Sequence, residues 1–164
     1  MKLLFCSLLL MFSALAQAAE PRFDEVVFFQ PEQVLLDKKV NFADLARFSR
    51  NMQSRIWNAL KKVKMPVSTG YVVVAVRSDG EVAAWLDMEP ALHEYYDNEV
   101  VQAVMKTPPF SVSDGIVVFG IKMAIDTAKH TRRTKPDPKE WKEARKKVAN
   151  PNDIEELALA AWPE

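Results

Sequence analysis

The sequence has few of the residues from which disulfides, metal sites and phosphate-binding loops are made. Its 164 residues include one cysteine, two histidines and four glycines. The cysteine, Cys6, lies in the apolar N-terminal stretch, so no disulfide can form within one chain. No glycine-rich nucleotide loop occurs, and His93 and His130 lack the spacing of zinc ligands. The sequence therefore predicts no catalytic residues, no cofactor and no metal site.

The chain also has no excess of charge of either sign. It contains 22 basic and 22 acidic residues, and this balance argues against nucleic acid as a partner. The basic residues are concentrated in one place, because nine of them lie between positions 127 and 150, with only three acidic residues. An ordinary solvated helix face explains this mixture of charges. Contact of this segment with an anionic membrane surface or an acidic protein partner is left open.

The N-terminus has the order of residues that is typical of a secretory signal. Lys2 precedes an apolar run over residues 3–12, and small residues follow up to Ala18. A membrane-spanning helix needs about 20 mainly apolar residues, whereas Ser13 and Gln17 interrupt this run. We therefore expect residues 1–18 to be a cleaved signal peptide and the mature protein to be exported, with a retained membrane anchor as the alternative.

Hydrophobic periodicity predicts one α+β domain over residues 41–126. Apolar residues at three- and four-residue steps predict helices, and β-branched runs predict strands. The Asp79–Gly80 pair predicts a hairpin whose two turn positions both have positive φ. The predicted order is a helix over 41–63 capped by Asn41, strands over 71–77 and 82–88, a short helix capped by Asp97, and a strand over 116–125. This α-β-β-α-β order predicts a three-stranded antiparallel sheet packed by two helices on one face.

Two segments flank the predicted domain. Residues 19–40 are a lead-in, in which a short strand is predicted over 26–29. Residues 127–164 are predicted to be a basic linker and a helical tail. Asp137 is the predicted cap of a helix that runs to about Val148, and a last short helix is predicted to run through Ala161.

Residues 43–125 resemble the C-terminal domain of the TonB and TolA energy-transducing proteins of the Gram-negative periplasm. The segments that carry the resemblance are Ile56-Trp57, the strand after Gly70, Asp79-Gly80-Glu81-Val82, Asp97 with Val100, Val101, Ala103 and Val104, and Pro108-Pro109-Phe110. The chain departs from the family where Met88-Glu89-Pro90-Ala91 replaces a Ser-Ser-Gly segment, and it lacks the long spacer of the transducers. The resemblance implies a free periplasmic domain without coupling to a motor.

The same resemblance implies binding of a periplasmic or outer-membrane protein through an exposed sheet edge. In such binding the partner adds a strand to the edge. We expect the last strand, 116–125, to be that edge, with Lys122 as the charged residue that protects it from unwanted pairing. The predicted partner-binding residues are Ile116, Val118, Ile121, Lys122 and Met123.

Three alternatives stay open. The lead-in strand or the tail covers the expected edge, which would favour self-association or autoinhibition. The apolar N-terminus is kept, and the protein is a membrane-anchored transducer in outer-membrane transport. The protein is a small secreted hydrolase that uses acidic residues such as Asp87, Glu89 and Glu94.

Overall fold

The computed structural model of the protein describes residues 20–163. The predicted signal peptide, residues 1–18, therefore lies outside the described residues. The described part has four strands and five helices. In chain order they are β1 (Pro21–Phe28), α1 (Glu32–Asp37), α2 (Phe42–Leu60), β2 (Ser68–Arg77), β3 (Val82–Glu89), α3 (Glu94–Met105), β4 (Ile116–Ile125), α4 (Lys139–Ala144) and α5 (Ile154–Ala160).

The strands form one antiparallel sheet in the order β1-β4-β2-β3. The α+β class is as predicted, but the prediction of three strands is wrong. The lead-in forms a full strand, β1, that pairs with β4 from Pro21 opposite Ile125 to Phe28 opposite Phe119. β4 is consequently an inner strand, and the outer strands of the sheet are β1 and β3.

The first face of the sheet carries the main core. Alternate residues of β2 (Val72, Val74 and Val76) pack there against α2 and α3. α2 turns apolar residues at helical spacing toward the sheet, and two of them, Met52 and Ile56, are fully buried. Burial of one such side chain stabilises the fold by about 1.5–3 kcal/mol. Both predicted helices therefore lie on one face of the sheet.

The second face is covered by the C-terminal tail. The other residues of β2 (Tyr71, Val73 and Ala75) pack there with Trp85 of β3 and with buried side chains of α4 and α5. Trp85 lies edge-on to both Trp141 and Trp162, with ring centroids 5.6 and 6.3 Å apart. Because both faces are covered, β2 carries no charged residue from Gly70 to Val76 and is almost wholly apolar there.

The hairpin between β2 and β3 lies where the sequence predicts it. The Gly80 amide donates to the Arg77 carbonyl, and the Arg77 amide donates to the Glu81 carbonyl. Gly80 has φ +86°, a value that glycine adopts without steric cost. Asp79 is not among the positive-φ residues, so the expectation that both turn positions have positive φ is wrong.

Helix starts are predicted with mixed success. Asn41 caps α2 as predicted, since its side chain accepts from the amides of Ala43 and Asp44. α3 begins earlier than predicted, at Glu94, and its cap is His93 rather than Asp97. α4 is preceded by Pro138 without a side-chain cap and ends at Ala144, well before Val148.

A polar cluster ties both ends of the described chain to β4. Gln30, just after β1, donates from Nε2 to the Ile116 carbonyl at 2.7 Å and accepts from the Val118 amide at 2.9 Å. Glu155 of α5 accepts from the Ile116 amide and pairs with Lys38 Nζ at 2.9 Å. The lead-in and the tail are thus held at the same end of one inner strand.

Candidate functional site

Strand β3 is the sheet edge that faces a cleft. Antiparallel pairs alternate between residues that exchange hydrogen bonds and residues that do not. Because the Arg77 amide donates to the Glu81 carbonyl, the residues of β3 that exchange hydrogen bonds with β2 are the odd-numbered ones. The main-chain groups of the even-numbered residues therefore point away from β2. They are Val82, Ala84, Leu86 and Met88.

A cleft of about 520 Å³ runs along this edge. Its floor is β3 from Ala84 to Met88. Glu94, Asp97 and Val101 of α3 form one wall, and residues of α4 form the other. The cleft thus lies between the helix that follows β3 on the first face of the sheet and the tail helix on the second face.

Two acidic residues that line the cleft form ion pairs with arginines of the tail. Asp87 accepts from Arg133 Nη1 at 2.7 and 2.8 Å, and it also accepts from the Asp137 amide at 2.7 Å. Asp137 accepts from Arg145 at 2.5 Å. These contacts hold the linker and α4 against β3, so they fix the second wall of the cleft.

The acids of the α3 wall have no such partners. No ion pair to Glu94 or Asp97 occurs among residues 20–163. Burial raises the pKa of the Asp97 carboxyl above its ordinary value; Lys139 opposes the rise, and Glu140 and Glu94 add to it. Asp97 therefore lacks a cation close enough to offset its loss of hydration.

The opposite edge of the sheet, β1, is a poorer place for strand addition. Its pairing with β4 shifts register between Phe23 and Val26, which marks a bulge. The bulge contains two acidic residues, Asp24 and Glu25, and Glu25 pairs with Lys122 at 2.8 Å. Bulges and charges of this kind are the devices that protect edges from pairing.

The structure places the five predicted partner-binding residues on an inner strand. Ile116, Val118, Ile121, Lys122 and Met123 all belong to β4, which pairs with β1 on one side and β2 on the other. The expectation that 116–125 is an open edge is wrong, because β1 and the Gln30 side chain take the main-chain groups that a partner strand would need. The alternative in which the lead-in covers this strand describes the geometry that is found.

Lys122 does not guard a free edge either. Its ammonium group pairs with Glu25, and this hydrogen bond raises the pKa of Lys122 above its ordinary value. The single charged residue of β4 is thus paired with an acidic residue of β1, the strand that covers it.

The acidic residues of the hydrolase alternative lie in different surroundings. Asp87 is engaged by Arg133, while Glu89 and Glu94 are exposed. Within residues 20–163, no three His, Cys, Asp or Glu side chains are close enough to hold a metal ion.

The basic tail divides into engaged and exposed cations. Arg133 and Arg145 are paired with acidic residues, whereas Lys129, Arg132 and Lys135 are exposed.

Of the helices that the structure describes in residues 20–163, none has the length and hydrophobicity needed to cross a bilayer.

Comparisons with protein-family models, curated proteins and solved structures give no match to this chain.

Proposed function

We propose that the protein is a periplasmic protein-binding module, similar to the C-terminal domain of TonB and TolA, that docks an extended segment of another protein along β3. The observation that carries the proposal is the position of β3 as an outer strand facing the 520 Å³ cleft. The partner is an outer-membrane or periplasmic protein. The module acts by contact alone, without motor coupling.

The order of elements supports this proposal. α2, β2, β3, α3 and β4 follow one another in the order that the resemblance implies, with the Asp79–Gly80 hairpin between β2 and β3. The N-terminal sequence supports export. Since β1 covers the outer side of β4, we place the docking edge at β3 and not at β4, where the sequence predicted it.

Strand addition explains how such a module gains both affinity and selectivity. Main-chain groups of Ala84 and Leu86 provide hydrogen bonds that any extended peptide can complete. Alternate side chains of the bound segment then point toward α3 on one face and toward α4 on the other. The two walls can therefore select different residues at alternate positions.

The test is a pair of variants at one position of the edge. Leu86→Pro removes an outward-facing amide, which an edge strand tolerates, while Leu86→Ala keeps the amide and shortens the side chain. Binding of peptides from a displayed random eight-residue library should be lost in Leu86→Pro and kept in Leu86→Ala. Equal binding by both variants and the wild type would eliminate strand addition at β3.

Hydrogen exchange on the wild-type protein tests the edge without any variant. The amides of Ala84 and Leu86 face the cleft and should exchange faster than those of Ala83 and Trp85, which bond to β2. Uniformly slow exchange along β3 would contradict the proposal.

A further inference from the structure

We infer that the segment docked on β3 carries Lys or Arg at the positions that face α3, and uncharged or acidic residues at the alternate positions that face α4. This inference rests on the proposed function and adds to it the chemistry of the partner. It follows from how charges are distributed over the two walls of the cleft.

The α3 wall is acidic and its acids are uncompensated. Glu94 and Asp97 lie one helical turn apart on α3, and both line the cleft. Side chains three apart lie on the same face of a helix. A cation held between them would relieve the unfavourable environment that raises the pKa of Asp97.

The α4 wall has a different charge pattern. Lys139 and Lys142 line it together with Glu140. Lys139 Nζ lies 3.7 Å from Glu140 Oε1, beyond hydrogen-bonding distance, and Glu140 Oε2 has no hydrogen-bond partner. Asp137 also lines the cleft but is paired with Arg145, so two lysines face one remaining acid on this wall. A further cation is therefore less favoured here than at the α3 wall. The preference for basic residues therefore applies to only one side of the docked segment.

A second copy of the chain fits this edge poorly. The charged residues of β3 are Asp87 and Glu89, and both are acidic. Strand β3 contains no Lys or Arg, so the β3 strand of a second copy would offer no basic residue to the acidic α3 wall. The charge pattern therefore favours a basic segment of a different protein over self-association.

The experiment compares the peptides that the wild type and the Glu94→Gln/Asp97→Asn double variant select from a random eight-residue library. Wild-type peptides should be enriched in Lys and Arg at alternate positions. A selected basic peptide should bind about tenfold more weakly to the double variant, since it loses charge-assisted contacts. A version of the peptide with Met in place of its basic residues should bind both proteins equally.

The outcomes separate this inference from the proposed function. Selected peptides without basic residues, or with basic residues at adjacent positions, would overturn the inference and leave docking at β3 intact. Peptides that bind Leu86→Pro as well as the wild type would overturn both. A dimer that sedimentation detects in the wild type but not in Leu86→Pro would identify the occupant as a second copy and would also overturn the inference.

Discussion

Arg133 donates two hydrogen bonds from Nη1 to the Asp87 carboxylate and one from Nη2, at 2.9 Å, to the Asp87 carbonyl oxygen. One arginine of the basic linker thus hydrogen-bonds to both the side chain and the main chain of Asp87 in β3. The Asp87 side chain is only 13% exposed, so its loss of hydration must be offset by these donors.

Arg133→Ala should lower the free energy of unfolding by about 2 kcal/mol, because it leaves a largely buried carboxylate with only the Asp137 amide. Denaturant unfolding measures this change. The neighbouring exposed residue supplies the control, since Arg132→Ala should change stability by about 0.5 kcal/mol or less. Equal effects of the two variants would show that the contact contributes little.

Gln30 gives a second prediction. Its amide completes the bonding of β4 beyond the end of β1, so Gln30→Ala should leave two main-chain groups of β4 without partners. We expect a loss of about 2 kcal/mol or more. Gln33→Ala, at an exposed position on α1, is the matched control and should be nearly neutral. A neutral Gln30→Ala variant would mean that other donors and acceptors replace the side chain.

Asp97 gives a pH dependence. Its raised pKa means that the folded protein holds a proton more tightly than the unfolded chain does. As pH rises from the ordinary carboxyl pKa to the raised value, the free energy of unfolding should therefore fall. At neutral pH, Asp97→Asn should have a higher Tm than the wild type, and this difference should shrink on acidification.

Thermal melts of Asp97→Asn at several pH values measure that difference. Glu99→Gln removes an exposed acid from the same helix and serves as the control. A Tm of Asp97→Asn that is equal to or below that of the wild type at neutral pH would contradict the expected cost of burying the carboxylate.

Gly80 gives the fourth prediction. A β-carbon there has no atom within 4 Å, so only the positive φ opposes substitution. Gly80→Val should destabilise the protein by roughly 1 kcal/mol or more through backbone strain. Ser78 lies in the same turn, is exposed and does not have a positive φ, so Ser78→Ala should leave the melting temperature unchanged. An unchanged melting curve for Gly80→Val would mean that the turn relaxes into another type.

Helix α2 and the β2–β3 hairpin could be predicted from the sequence because their signals are local. The periodicity of α2, the Asn41 cap and the Asp79–Gly80 hairpin each depend on residues close together in the chain. The strand order could not be predicted in this way. It depends on β1 reaching β4 across the whole domain, and the short lead-in strand gives a weak signal.

The residue types of the strands also bear on the strand order. The residues of β4 are apolar or Gly apart from Lys122, as expected for an inner strand, whereas β3 ends in a segment that contains Asp87 and Glu89. Comparison of these patterns favours β3 as the edge. The cleft itself could not be predicted, because its second wall is built by the tail, whose position depends on Arg133, Trp141 and Trp162 meeting residues far away in the sequence.

The pairing of β1 with β4 also bears on the order in which the chain folds. Pro21 and Ile125 are roughly a hundred residues apart, so closing this contact costs much more chain entropy than forming the β2–β3 hairpin. We expect the hairpin and α2 to form early and β1 to dock late. During that interval the outer side of β4 is uncovered in the newly made chain, which makes it the surface that a chaperone would need to shield.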